Sequence, residues 1–267
     1  MAKNAYVGVD GVAKKVKKAY IGIDGVARSI KKIYVGVDGV AKLVFQSNIS
    51  LAELPVGSSV FMNMDGIPAE FLIVHQGLPD ATLYDASCDG TWLLKKTSYG
   101  EDMSFGGNVD DFQSSDVRLE LNDVIFFTFD ENVQNLIKQV KIPYYKGSNT
   151  TGSVVYGSNG LPSKLFLLSG YEVGWTVADG AFPENEGAVL DYFKGCAKVD
   201  PKRSAYRDDG EAVGWWLRST ATDSYKRAWD IYDGEAWNDT FNTTCAIRPA
   251  LILPKTTLVD DNFNVIA

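Results

Sequence analysis

The apolar and polar positions of the first 46 residues repeat with a period of 14. In each repeat a β-branched run meets an Asp-Gly pair, at Asp10-Gly11, Asp24-Gly25 and Asp38-Gly39, and a second apolar run follows. Asp-Gly tolerates the positive φ angles of a tight hairpin turn, so each repeat is predicted to be a small β-hairpin. A hairpin of this size buries too little surface to stand alone. We therefore expect the repeats to stack on one another, on identical chains or on a partner protein.

From Ser50 onward the pattern changes to short alternating runs separated by Gly, Asn, Asp and Ser. This alternation predicts strands at Ser59–Met64, Glu70–His75 and Thr82–Tyr84. The chain is accordingly divided into a repeat segment, a large domain and a tail, at 1–46, 50–255 and 256–267.

Two stretches of the large domain have a helical pattern. The first is Asp116–Phe127, and the second lies near 130–140, where Asp130 can cap the helix. The predicted apolar face of the second helix is formed by Val133, Leu136, Ile137 and Val140. Strands and helices together predict an α+β fold.

The charge is distributed unevenly. The formal net charge is −8, but residues 1–46 hold nine Lys and Arg against three Asp, a net +6, and residues 47–267 hold 17 against 31, a net −14. An acidic large domain repels phosphate backbones, so no nucleic-acid partner is expected for it. No run of 18 apolar residues occurs, so membrane insertion is not expected either.

The basic pairs at the repeat junctions are interpreted as solvated turns. They are Lys17-Lys18 and Lys31-Lys32, and no aromatic stacking platform interleaves with them. Contact with nucleic acid is the alternative interpretation.

The inventory of histidine and cysteine argues against common catalytic and metal sites. His75 is the single histidine and lies in a predicted buried strand, so a structural role is predicted. Cys88, Cys196 and Cys245 are far apart, without CxxC spacing, and are expected to be free thiols. Neither a cofactor nor a metal ion is predicted.

Three apolar runs carry polar or aromatic landmarks: Lys164–Gly174, Gly214–Ser219 and Ala246–Pro254. Trp215 or Trp216 is predicted to fill the core. Arg218 and Arg248 are expected to pair with buried acids such as Glu172 or with backbone carbonyls, because an unpaired arginine in an apolar strand is costly.

The order of these motifs resembles the formylglycine-generating-enzyme-like branch of the C-type lectin fold, over roughly residues 50–255. The resemblance implies a C-type lectin-like domain with an irregular binding face. The N-terminal repeat, Tyr-Val/Ile-Gly-Val/Ile-Asp-Gly-Val-Ala-Lys/Arg, resembles short repeats of virion and tail proteins of phages that infect gut bacteria. It implies an attachment or oligomerisation module that contacts other virion or tail proteins.

Residues 219–246 are rich in Tyr, Trp, Asn, Asp, Ser and Thr, the composition of a binding loop. This stretch also resembles the variable region of diversity-generating retroelement target proteins, where mutagenesis scrambles Asn codons. Lys226, Glu235 and Trp237 cannot be reached from that codon, although Trp237 is kept as a contact residue. The predicted ligand-binding face consists of Thr222, Asp223, Ser224, Tyr225, Arg227, Asp230, Tyr232, Asp233, Trp237, Asn238, Asp239, Phe241, Asn242 and Thr244.

The resulting hypothesis is a non-enzymatic binding protein of a phage tail or virion surface. Its expected ligand is a host cell-surface protein or glycan, and analogy with tail proteins built on short β repeats implies a homotrimer. An enzyme of lectin-like ancestry acting on glycans or peptides is the alternative. Asp208, Asp209 and Glu211 are candidate calcium ligands, but nearby Arg203 and Arg207 favour a surface salt-bridge cluster.

Overall fold

The structure is a computed structural model that describes residues 6–9, 11–16, 19–30, 32–37, 39–46, 48–107, 110–147 and 152–266. Asp10, Asp38, Lys17, Lys18 and Lys31, which entered the predictions for the repeats, lie outside the described residues.

The repeat segment consists of three antiparallel hairpins, as predicted. In the second one, Asp24 and Gly25 have φ angles of 52° and 76°, as a tight turn with two positive φ angles requires. The six strands are β1 Tyr6–Val9, β2 Val12–Lys15, β3 Ala19–Ile23, β4 Val26–Ile30, β5 Lys32–Val37 and β6 Val40–Gln46.

Apolar side chains of the hairpins remain exposed. The tyrosines Tyr6, Tyr20 and Tyr34 are each more than half exposed, and valines and isoleucines on both hairpin strands are exposed as well. Each described hairpin forms its own two-stranded sheet. Stacking of the repeats on one another therefore does not cover this apolar surface in the described residues, and contact with an identical chain or a partner protein stays a prediction.

The remaining described residues form 18 further strands. They are β7 Ile49–Ser50, β8 Ser59–Met64, β9 Ile67–Gly77, β10 Gly90–Lys95, β11 Tyr99–Ser104, β12 Val140–Ile142, β13 Tyr144–Tyr145, β14 Val154–Val155, β15 Leu161–Ser163, β16 Ala205–Tyr206, β17 Ala212–Val213, β18 Trp215–Thr220, β19 Arg227–Tyr232, β20 Glu235–Thr240, β21 Thr244–Ile247, β22 Ala250–Leu253, β23 Leu258–Val259 and β24 Val265–Ile266.

Two sheets organise the large domain. One has four strands in the order β22-β10-β9-β8, and the other has five in the order β11-β21-β18-β19-β20. The predicted apolar run Ala246–Pro254 is divided between them, because Arg248 and Pro249 separate β21 from β22. Pro249 has no backbone N–H to donate to a ladder, so it suits the point where the chain changes sheets.

The tail is joined to the beginning of the large domain. β23 pairs with both β24 and β7 in a small three-stranded sheet. The backbone N–H of Phe61 in β8 also donates to the carbonyl of Phe263, at 2.9 Å.

The α+β prediction is wrong. Strands make up 43% of the chain and helical segments 13%, so the protein is mostly β with several small sheets. The longest helical segment has 13 residues. It begins with α1, Asp116–Leu119, continues as a π-helical turn at Glu120–Val124 and ends as a 3-10 helical turn at Ile125–Thr128. It confirms the first predicted helix, and the Ser115 hydroxyl caps it by accepting from the backbone N–H of Arg118.

Three other predicted elements differ from the structure. The second helix, α2, is limited to Glu131–Leu136, and Val140 lies instead in β12. The segment Thr82–Tyr84 is a turn that ends in an isolated bridge between Tyr84 and Gly157, because the Asp80 carboxylate accepts from the Thr82 backbone N–H and hydroxyl. The run Lys164–Gly174 has only an isolated pairing, between Phe166 and Ala250.

The core of the large domain is rich in aromatic rings. Trp215 and Trp216 are both fully buried, so both fill the core. Their indole N–H groups donate to the carbonyls of Arg203 and Met103, at 2.8 and 2.9 Å. Buried indoles thus keep their hydrogen bonds while contributing large apolar surfaces.

Candidate functional site

The polar centre beneath the C-terminal strands is an ion pair between Arg218 and Glu172. Both side chains are fully buried, and two guanidinium–carboxylate contacts of 2.5 and 2.7 Å join them. The remaining Arg218 N–H groups donate to backbone carbonyls, including that of Pro143. Burial lowers the pKa of Arg218, but attraction to Glu172 outweighs it and the pKa is raised. This confirms the predicted pairing and assigns Arg218 a structural role.

Glu186 lies beside this pair and is fully buried. Its carboxylate accepts from the backbone N–H of Tyr145, at 3.0 Å, and from the hydroxyl of Ser219. Burial raises the pKa of Glu186 to about 7, against the opposing effect of Arg218.

Arg248 is paired with a backbone carbonyl and not with a carboxylate. Its Nε donates to the carbonyl of Lys95 at 2.8 Å, and its guanidinium lies 5.0 Å from the centre of the Trp215 ring. Burial lowers the pKa of Arg248 to about 10. The prediction of a backbone carbonyl partner is thus confirmed, and Arg248 also packs on an aromatic face.

The candidate binding segment folds into the hairpin formed by β19 and β20. Asp233 and Gly234 form its turn with φ angles of 49° and 77°. In the register, Asp230 lies opposite Trp237 and Ala228 lies opposite Asp239. Since side chains opposite each other share a face, Asp230, Tyr232, Trp237 and Asp239 belong to one face.

The other face of the hairpin is attached to the core. Trp229 is buried and its ring lies 3.9 Å from that of Phe182, nearly parallel to it. The Trp229 indole N–H donates to the carbonyl of Ala181, at 3.2 Å. This contact fixes the orientation of the hairpin and therefore of its opposite face.

A cavity of about 320 Å³ lies on the face that carries Asp230. Besides Tyr232, Trp237 and Asp239 of the hairpin, its walls include Asp102 from β11 and Cys245 from β21. Gly214, Thr243 and Thr244 complete the lining. The cavity is thus lined by acidic groups, aromatic rings and hydroxyls from β11, β19, β20 and β21, which are four strands of the five-stranded sheet.

The electrostatics of the cavity are governed by Asp230. Its side chain is 3% exposed, and burial followed by repulsion from Asp239 raises the pKa of Asp230 to about 7. Burial and then Asp230 also raise the pKa of Cys245, so its thiol stays protonated. Asp102 is held by Arg207, whose Nη2 lies 2.9 Å from Oδ1 of Asp102.

Most of the predicted face is accessible, but its members do not form one surface. Phe241 and Asp230 are buried. Arg227 and Asn238 lie on the hairpin face opposite the cavity, where the Arg227 guanidinium donates to the Asn238 carbonyl at 2.6 Å. The exposed members are Thr222, Asp223, Tyr225, Tyr232, Asp233, Trp237, Asn242 and Thr244, and the half-buried ones are Ser224, Arg227, Asn238 and Asp239.

The assignment of Phe241 to the binding face is wrong. Its ring lies 4.8 Å from that of Phe105 and only 3% of the residue is exposed. Phe241 is a core residue that anchors the end of the hairpin, because burial of an aromatic side chain in a packed cluster is favourable.

Sequence reasoning missed Asp102 and Gly214 as parts of the cavity. Asp102 reaches it through β11, which pairs with β21 at Met103 and Cys245. No local pattern near Asp102 signals this pairing, because it joins strands more than 140 residues apart.

The acidic segment considered for calcium forms a surface ion pair instead. Arg207 contacts Glu211 at 3.2 Å as well as Asp102. Arg203 does not belong to this cluster, because it is buried, donates to the carbonyl of Val173 and lies over the Trp175 ring. Within the described residues no group of three or more His, Cys, Asp or Glu is arranged to hold a metal ion.

The predicted structural role of His75 agrees with its position in β9. The side chain is buried, its Nδ1 lies 2.7 Å from Oδ2 of Asp191, and it is not among the residues that line the cavity. The three cysteines are not joined to one another.

Stability should fall as the pH rises toward neutrality. The pKa values of Asp230 and Glu186 are raised to about 7, from ordinary values of 3.8 and 4.5. The folded chain therefore binds these protons more tightly than the unfolded chain does, and the stability they give at low pH is lost as the pH rises through 7. At about 1.4 kcal/mol per pKa unit, the two groups together contribute several kcal/mol.

Urea unfolding between about pH 5 and pH 8 measures this slope. Asp230→Asn should flatten the profile, whereas Asp223→Asn at an exposed position should leave it unchanged. Identical profiles for Asp230→Asn and the unmodified protein would contradict the assignment.

The chain belongs to the family described as Domain of unknown function (DUF6273), whose match covers residues 89–255, more than half of the chain. This range contains both the Arg218–Glu172 pair and the whole cavity. No curated protein and no solved structure matches the chain. Among the described residues, no helix is long and apolar enough to cross a membrane.

Proposed function

We propose that this protein is a non-enzymatic binding protein whose ligand occupies the cavity face of the β19–β20 hairpin. The observation that carries the proposal is the exposure of Trp237 and Tyr232, at 55% and 51%, beside a cavity on an anchored hairpin. Large aromatic side chains at the edge of a concave site are typical binding hot spots, because they lose much water-exposed surface when a partner covers them.

The support for the hairpin favours binding without refolding. Trp229 and Phe241 hold it to the core, while Tyr232 and Trp237 lie outside that contact. A preorganised face pays little ordering cost when it binds. Exchange of its exposed side chains would alter specificity and leave the scaffold intact, which fits the proposed likeness to variable proteins of diversity-generating retroelements.

The proposal extends to a phage tail or virion surface, with a host cell-surface protein or glycan as ligand. The hairpins of residues 1–46 would then attach the protein to other virion or tail proteins or to identical chains. Their exposed tyrosines, valines and isoleucines support such an interface, because contiguous apolar surface is normally covered by a partner.

An enzyme acting on glycans or peptides stays the alternative. The cavity is lined by the carboxyl groups of Asp102, Asp230 and Asp239, but Asp102 forms an ion pair with Arg207. Release of reducing ends from bacterial surface polysaccharide by the purified chain would favour this alternative over binding alone.

Alanine substitution of Tyr232 and Trp237 together should reduce binding by at least about 100-fold, since hot-spot aromatics cost about 2 kcal/mol or more each. Retention of fluorescently labelled protein on whole gut bacteria and on a printed array of their surface glycans measures the loss. The matched control is Tyr156→Ala together with Val177→Ala, which removes exposed apolar side chains outside the cavity and outside the predicted binding face. Equal binding by the double variant and the unmodified protein would contradict the proposal.

A further inference from the structure

The cavity is lined by acidic side chains without a matching cation among its lining residues. Its lining residues include three carboxylates and no Lys, Arg or His. Arg207 compensates Asp102, but within the described residues neither Asp230 nor Asp239 takes part in an ion pair. The two lie on the same hairpin face, on neighbouring strands, and repel each other.

Asp230 carries a second, independent sign of a missing partner. The residue is 97% buried, and its Oδ1 has no hydrogen-bond partner among the described residues. Buried polar atoms are nearly always satisfied, because an unsatisfied one loses its bonds to water and gains nothing. Asp230 lines the cavity, where its hydrogen-bonding neighbour is the thiol of Cys245, a weak donor, so a ligand with a stronger donor would compensate this carboxyl group better.

The aromatic rings beside the Asp230 carboxyl group indicate the chemistry of the rest of the ligand. Trp237 lies directly opposite Asp230, and Tyr232 follows two residues along β19 on the same face. Aromatic faces attract cations and pack against alkyl chains. A neutral sugar would also stack on them, but it would leave the charge of Asp230 and Asp239 uncompensated.

We propose that this cavity binds a primary alkylammonium group, such as a lysine side chain of a partner protein carries, with the ammonium on Asp230 and Asp239 and the alkyl chain against Trp237 and Tyr232. This inference rests on the proposed function and assigns the chemistry of its ligand. An organic cation suits the site better than a metal ion, since the described residues contain no group of three metal-ligating side chains.

Binding should be linked to a proton. An ammonium group favours the ionised form of Asp230, so affinity should rise as the pH increases through 7. The other groups that face Asp230 are Asp239 from β20, Asp102 from β11 with its partner Arg207, and the Cys245 thiol from β21. The pKa of Cys245 is raised by burial, so the thiol does not titrate in this interval.

The test is an NMR titration of the full chain with Nα-acetyl-lysine methylamide, followed through the indole N–H signal of Trp237. The signal is assigned by its loss in Trp237→Phe. We expect saturable shifts with the lysine derivative and at least tenfold weaker shifts with its Nε-acetylated form, which keeps the length and loses the charge. Affinity should increase about tenfold from pH 6 to pH 8.

Two variants and one control separate the outcomes. Asp230→Asn should weaken binding at least about tenfold and abolish its pH dependence. Asp239→Asn tests the same pairing if Asp230→Asn does not fold, and Asp123→Asn, at an exposed carboxylate outside both the cavity and the predicted binding face, should bind as the unmodified protein does. Cadaverine distinguishes the source: tighter binding of the lysine derivative supports a protein ligand, and tighter binding of cadaverine supports a free amine with the same ammonium chemistry.

Equal shifts with the charged and the acetylated lysine derivative, or no shifts with either, would overturn the ammonium assignment. Stronger shifts with N-acetylglucosamine than with the lysine derivative would overturn it as well. The proposed function is tested separately, because attachment to bacterial cells that depends on Tyr232 and Trp237 would persist if only the ligand chemistry were wrong.

Discussion

Replacement of Arg218 by methionine is expected to lower the free energy of unfolding by about 3–5 kcal/mol. Methionine keeps much of the side-chain volume, but it leaves the buried Glu172 carboxylate without its cation. The backbone carbonyls of Pro143, Leu167 and Glu186 lose their donors at the same time. An uncompensated charge in a dry interior costs more than the pair itself contributes, so the loss should be large.

Urea unfolding monitored by tryptophan fluorescence measures this loss. The control is Lys96→Ala, which breaks the ion pair of Lys96 and Glu70 at the surface, with a distance of 2.9 Å. Because exposed pairs are well solvated, it should cost at most about 1 kcal/mol. A loss below that value for Arg218→Met would show that the cluster does not determine stability.

Substitution of Trp229 by alanine should cost about 3–5 kcal/mol. It removes a buried ring that stacks on Phe182 and whose indole N–H donates to Ala181. The cavity left behind cannot close, because the hairpin is held at its turn by the hydrogen bond from the Asp200 N–H to the Gly234 carbonyl and at its other end by the packing of Phe241 on Phe105. Ligand binding should weaken as well, since the opposite face loses its support.

Trp237→Ala provides a matched comparison within the same hairpin. Trp237 is 55% exposed, so its removal should change the free energy of unfolding by no more than about 0.5 kcal/mol. Thermal unfolding of the two variants side by side tests the assignment of the two faces. Similar losses for both would mean that Trp237 belongs to the core and would remove the basis of the proposed binding face.

The features that sequence reasoning predicted correctly depend on interactions between near neighbours in the chain or on the high cost of burying an unpaired charge. The hairpins follow from Asp-Gly turns within 14-residue repeats, whose pairing needs no distant residue. The Arg218–Glu172 pair was predictable because an arginine in an apolar strand requires an acid. Exposure of Tyr232 and Trp237 agrees with the binding-loop composition around them.

The errors come from properties that only the assembled fold determines. Helical periodicity predicts a helix through Val140, but Val140 pairs with Ser163 of β15 and therefore lies in a strand. Phe241 lies among polar neighbours and was assigned to the surface, although Phe105 and the end of the hairpin enclose it. Contacts between residues far apart in the sequence decided both cases, and local periodicity carries no information about them.

The three N-terminal hairpins pair only within themselves in the described residues, and their turn glycines, Gly11, Gly25 and Gly39, recur every 14 residues. Slippage during replication that adds or removes one such unit would insert or delete a complete hairpin with its turn intact. Neither the register of the neighbouring hairpins nor the large domain would be disturbed. The number of hairpins that precede the large domain could therefore change in whole steps, with no change to the residues that line the cavity.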